Sequence, residues 1–104
     1  MKTFYYDTDK RLREIFAEHC NLCGEQYEWI RGEFTCLVAD FQESEPQAEI
    51  EKRMERMRTV FDFLYETKCL TVGELTEVNE LLSEIWETAM QIIAKAALKA
   101  GAQP

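Results

Sequence analysis

The sequence predicts an all-α fold, an antiparallel bundle of three long helices that becomes four if the first breaks near Gly24. Three observations predict it. Apolar residues recur at alternating spacings of three and four in three separate stretches, the repeat that gathers side chains on one stripe of a helix. Two of these stretches open on a Ser/Thr-x-x-Glu/Gln pattern, in which side chains at both ends of the motif satisfy each other's backbone N–H groups. The connections are short, and no Pro/Gly/Ser-rich linker, low-complexity tract or internal repeat interrupts the 104 residues, which read as one domain over 1–104.

The chain opens on an aromatic cluster, Phe4, Tyr5 and Tyr6, ahead of Asp7 and Thr8, either of which suits a helix N-cap. Residues 1–7 are expected as a short arm, extended or folded over the open end of the bundle. From Leu12 the first stripe runs through Phe16, Cys20, Cys23, Tyr27, Ile30, Phe34, Leu37 and Phe41. Gly24 and Gly32 lie within it, and each costs about 1 kcal/mol relative to Ala in a helix interior. Two readings compete over Tyr27 to Val38: the strand formers there, with Arg31–Gly32 as a turn, suit a hairpin, whereas the unbroken period and Glu25, Gln26, Glu28 and Glu33 favour helix.

Residues 42–45 form the clearest connection, and Ser44 with Gln47 supplies a capping box in which Pro46 is tolerated at the first turn. The second helix then runs to about Lys68, with Ile50, Met54, Met57, Phe61 and Leu64 on its stripe and Val60, Phe63 and Tyr65 widening it. Cys69 and Leu70 leave no room for a long loop, so the second and third helices form an antiparallel hairpin.

The third helix carries the strongest signals. Thr71 and Glu74 make the second capping box, with Leu70 and Leu75 placed as its hydrophobic staple. Leu75, Val78, Leu82, Ile85, Ala89, Ile92 and Ala96 form the stripe, Lys95 and Lys99 favour the negative helix end, and Gly101 suits a left-handed closing residue ahead of a frayed tail, 101–104. About 28 residues at 1.5 Å each give a rod of roughly 42 Å.

Charge narrows the function classes. Twelve Lys and Arg stand against 20 Asp and Glu, a formal net charge of −8. That balance argues against direct nucleic-acid binding, which needs cations to displace counterions from phosphate, and against anionic membrane surfaces. A partner protein with a basic surface is the electrostatic complement. The N-terminal residues lack a signal-peptide core and no run of 18 apolar residues exists, so a cytoplasmic location with four reduced cysteines is expected.

Catalytic equipment is not evident, and no enzyme activity or cofactor is expected. His19 is the single histidine, no Ser or Cys has a base and orienting acid patterned around it, and no Gly-rich phosphate loop or H-E-x-x-H motif occurs. The one metal candidate is Cys20 with Cys23, a C-x-x-C pair beside His19. Zinc needs four ligands and the chain offers no second pair, so both cysteines read first as small apolar stripe residues, and metal is expected at neither.

The acids are the more informative feature. Ten acids and one base lie between Glu14 and Glu51, seven acids and one base between Thr59 and Ala94, and the exceptions cluster at Lys52, Arg53, Arg56 and Arg58. Glu77, Glu80, Glu84 and Glu87 alternate three, four, three on the third helix, a row that folding does not need because like charges at that spacing weaken a helix. Trp86 lies between the last two as an anchor with an acidic rim. One row is sparser than duplex phosphate, and two acidic helices side by side approach it. These residues carry the expected function: a non-enzymatic interaction module, an inhibitor or nucleic-acid mimic that occludes a nucleic-acid-binding or other basic partner. The alternative is a homo-oligomeric assembly module, such as a homodimer joined through the apolar stripes, with charge serving solubility.

Overall fold

The computed structural model describes residues 2–16, 21–39 and 47–101. These form four helices: α1 (Lys2–Ile15), α2 (Gly24–Ala39), α3 (Gln47–Glu66) and α4 (Val72–Gly101). The four-helix form of the expected bundle is the one adopted, with the first stripe divided at Gly24. Helix α1 packs on α2 and α4, and α3 packs on α2 and α4, so the helices follow one another around a shared core in chain order. The body measures 55 × 24 × 20 Å, its long axis consistent with α4, whose 30 residues span about 45 Å.

Helix α1 begins at Lys2, so Phe4, Tyr5 and Tyr6 lie within its first two turns and do not form a separate arm. Nothing in residues 2–15 breaks a helix, and Thr8, Leu12 and Phe16, spaced by four, are buried in succession. Asp7 and Thr8 are consequently interior helix residues, not caps.

Tyr27 to Val38 is helical, as the 3.6-residue period favours over the local strand propensity. Ile30, Phe34 and Leu37 are buried as the stripe predicts, and Tyr27 is half-buried. The interruption places Cys23 at the N-cap of α2, where its carbonyl accepts from the Tyr27 N–H at 3.1 Å and its own N–H donates to Gln26 Oε1 at 2.9 Å. Cys23 is exposed there, which corrects the expected packing of this cysteine on the apolar stripe: a residue outside the helix does not follow the helix's phase. Phe16 and Tyr27 meet edge to face at 5.6 Å across the interruption and join the end of α1 to the start of α2.

On α3, Ile50, Met54, Met57, Phe61 and Leu64 are all buried, and Phe61 stacks on Phe34 of α2 with ring centroids 5.9 Å apart. Val60 is half-buried. Phe63 and Tyr65, expected to widen the stripe, are 62% and 42% exposed, because at 100° per residue Phe63 points well away from the line through Met57, Phe61 and Leu64. The capping pair Ser44 and Gln47 includes a residue outside those described, as do Phe41 and Pro46.

The α3–α4 connection is a Schellman motif. Lys68 adopts a left-handed φ of 65°, the Cys69 N–H donates to the Leu64 carbonyl at 2.7 Å, and the Lys68 N–H donates to the Tyr65 carbonyl at 3.0 Å. Two carbonyls orphaned by the end of α3 are thereby satisfied, and Leu70 follows directly into the core. The Thr71–Glu74 box then opens α4: Thr71 N–H donates to Glu74 Oε1 at 2.9 Å and Glu74 N–H to Thr71 Oγ1 at 3.1 Å. Along α4 the stripe residues Val78, Leu82, Ile85 and Ala89 are buried, while Leu75, Ile92 and Ala96 are half-buried. Gly101 continues the helix, and no described glycine has a positive φ, so the expected left-handed closure there is corrected: among the described residues the left-handed position is Lys68. No helix among the described residues is long and apolar enough to cross a membrane.

Candidate interaction surface

Helix α4 has one face committed to the core, and this fixes what the opposite face presents. With Val78, Leu82, Ile85 and Ala89 turned inward, residues at 77, 80, 84 and 87 fall roughly half a turn away. Glu77, Glu80, Glu84 and Glu87 are all exposed, over about 15 Å of helix. None of the ion pairs among the described residues uses them. Their row runs along the outer surface, so its charge is open to solvent along its length.

Trp86 is displaced from the row toward α3. It is half-buried at the α3–α4 seam, where it lines a depression of about 190 Å³ together with Met54, Glu51, Glu55 and Arg58. The indole therefore shares this depression with two carboxylates and one guanidinium of α3. Glu84 reaches the other side, lining a depression of about 340 Å³ with Asp7, Arg11 and Ile85 at the α1–α4 seam. Glu80 and Glu84 also border a shallow trough with Asn79, whose Oδ1 is buried without a hydrogen-bond partner among the described residues.

The structure thus brings the four glutamates onto the outer surface of α4, sets Trp86 apart from them on the α3 flank across the helix from Glu84, and adds Glu51 and Glu55 beside Trp86, neither of which the sequence assigns to the site. Their spacing of four beside Met54 marked them as neighbours of the α3 stripe. The missing information was which neighbouring helix that edge of α3 would meet. The basic cluster divides in the same way: Arg58 faces the Trp86 depression, whereas Lys52, Arg53 and Arg56 face α2.

Elsewhere the charged side chains tie helices together. Asp9 of α1 accepts from Arg31 Nε of α2 at 3.3 Å and pairs with Arg13 at 3.1 Å. The hydrogen bond from Arg31 to Asp9, and the Asp9 charge behind it, raise the Arg31 pKa above its ordinary value. Arg56 of α3 donates to Glu33 of α2 at 2.7 Å. These pairs contrast with the α4 row, whose carboxylates have no such assignment.

Among the described residues no group of three or more His, Cys, Asp or Glu side chains is placed to hold a metal. His19 and Cys20 lie outside the described residues. Comparison of the chain with protein-family models, with curated proteins and with solved structures finds no match in any of the three.

Proposed function

We propose that the chain is a non-enzymatic interaction module that docks its acidic α4 face on a basic protein surface and occludes it, the partner being a nucleic-acid-binding protein or another protein with a cationic site. The observation that supports this reading is the exposure of Glu77, Glu80, Glu84 and Glu87 in one row free of intrachain ion pairs among the described residues, with a half-buried Trp86 on the α3 flank rimmed by Glu51 and Glu55. Four carboxylates over about 15 Å are sparser than duplex phosphate, and Glu51 and Glu55 of α3 add two more beyond Trp86, beside Arg58. Charge of this kind accelerates encounter and sets orientation, while an aromatic anchor contributes more of the affinity. The test is charge reversal at Glu80 and Glu84. It removes the centre of the row without touching the core, so loss of partner binding by a folded variant supports the reading.

One observation favours the homo-oligomeric alternative. Burial on α4 falls off after Ala89: Ile92, Ile93 and Ala96 are half-buried, and Leu98 is 74% exposed. A self-association through this end is apolar and persists in high salt, whereas docking through the acidic row weakens as salt shortens the Debye length. Light scattering at low and high salt separates the two.

A further inference from the structure

Two cysteines distant in sequence are brought to the same end of the bundle. Cys23 immediately precedes α2, and Cys69 lies in the turn between α3 and α4. Residues on both sides of Cys23 reach that turn. After it, Gln26 accepts the Cys23 N–H with Oε1 at 2.9 Å and donates from Nε2 to the Cys69 sulfur at 3.6 Å. Before it, Asn21 lines one depression with Lys68 and Leu70, the two chain neighbours of Cys69. The oxygen and nitrogen of one carboxamide are about 2.3 Å apart, so the Cys69 sulfur lies within about 9 Å of the Cys23 nitrogen.

The two residues differ in their freedom to approach. Cys69 is pinned by the Schellman motif, where its N–H donates to the Leu64 carbonyl at 2.7 Å, and its side chain is half-buried. Cys23 is exposed and stands outside the helix, so its backbone is not fixed by the α2 ladder. A disulfide needs Cα atoms about 4.4–6.8 Å apart. Cys23 is the residue with room to reach that separation, once the Gln26 side chain releases its two contacts. Cys36 is also exposed but lies 13 residues further along α2, about 20 Å away, and meets neither of them.

We infer that Cys23 and Cys69, free thiols in this structure, form a reversible disulfide with a low-molecular-weight disulfide such as oxidised glutathione as the oxidant. The order of events follows access. The exposed Cys23 thiolate attacks one sulfur of oxidised glutathione and breaks its S–S bond. The first glutathione leaves as a thiolate that takes up a proton, and Cys23 carries the mixed disulfide. The Cys69 thiolate then attacks the Cys23 sulfur and expels the second glutathione, which is protonated in turn. Two protein thiols are oxidised to one S–S bond, and one oxidised glutathione is reduced to two thiols. The bond ties the start of α2 to the turn from which α4 departs, and it is regulatory where a glutathione pool keeps thiols reduced.

The experiment treats the full chain with oxidised glutathione, blocks the remaining thiols with N-ethylmaleimide and identifies linked peptides by tandem mass spectrometry after digestion. Cys36 serves as the internal control. The expected result is a Cys23–Cys69 link within one chain that exceeds every pair containing Cys36 by about tenfold or more, since the fold gives the first pair the higher effective concentration. Excess reduced glutathione reverses it, and unfolding the chain in urea before oxidation removes the preference. Cys20→Ser, checked for native helicity by circular dichroism, keeps the link, and Cys23→Ser abolishes it. A mixed disulfide that persists at Cys23 with Cys69 unlinked, or pairing with Cys36 at an equal level, overturns the inference. A main product that joins Cys20 to Cys23 or to Cys69 also overturns it, as does a Cys69 link that survives Cys23→Ser.

Discussion

Thr71 and Glu74 satisfy each other's backbone: the Glu74 carboxylate accepts the Thr71 N–H at 2.9 Å, and the Thr71 hydroxyl accepts the Glu74 N–H at 3.1 Å. The pair fixes where α4 starts and therefore the phase of all 30 of its residues, including which of them face solvent. Glu74 is 94% shielded while Thr71 is exposed, so the box is held partly out of water, where an unmet N–H is costly. Thr71→Ala removes one half of the box and is expected to destabilise the fold by about 1 kcal/mol, read as a lower urea midpoint with an unchanged slope.

Lys68 holds a left-handed φ of 65° at the close of α3, a conformation that crowds the Cβ of an L-residue. Lys68→Gly relieves that crowding and keeps both Schellman hydrogen bonds, which are made by backbone atoms. A gain of about 0.5–1 kcal/mol is expected in urea denaturation, after allowing for the added freedom of glycine in the unfolded chain. Lys68→Val is expected to lose stability, because branching at Cβ worsens the same contact.

At the N-cap of α2, Cys23 donates its N–H to Gln26 but has a side chain poorly suited to accept in return. Cys23→Ser completes the reciprocal box with a hydroxyl. The substitution is expected to raise stability by roughly 0.5–1 kcal/mol, measured as a higher thermal midpoint for the variant.

Gly32 lies in the middle of α2, exposed, with open space where a Cβ would stand. Gly32→Ala is expected to stabilise the protein by about 1 kcal/mol, since it lowers the backbone entropy lost on folding and displaces no neighbour. Amide hydrogen exchange along α2 is expected to slow in the same variant.

Much of this fold is legible in the sequence where one local signal repeats across several turns. The α3 stripe from Ile50 to Leu64 is buried at every expected position, and the Thr71–Glu74 box forms as the spacing requires. The period through Ile30, Phe34 and Leu37 also decides correctly between helix and hairpin. The departures arise where tertiary context sets the outcome. Cys23 keeps the stripe spacing in sequence, yet the chain leaves the helix before it. Lys68 carries no sequence sign of a left-handed residue, because the usual sign is a glycine. The four glutamates of α4 are exposed as their row predicts, but the placement of Trp86 beside Glu51 and Glu55 depends on how α3 pairs with α4.

The central claim concerns the α4 face, and one comparison tests it most directly. Tagged wild-type protein and the folded Glu80→Lys, Glu84→Lys variant are used in parallel to capture proteins from the cells that make the chain. Elution is in rising salt, and each eluted protein is quantified by mass spectrometry. The account predicts a basic, nucleic-acid-binding partner on the wild type that is released at moderate salt, is displaced by added duplex DNA and is depleted by about tenfold or more on the variant. Equal recovery on both proteins, or a partner indifferent to salt and DNA, contradicts it.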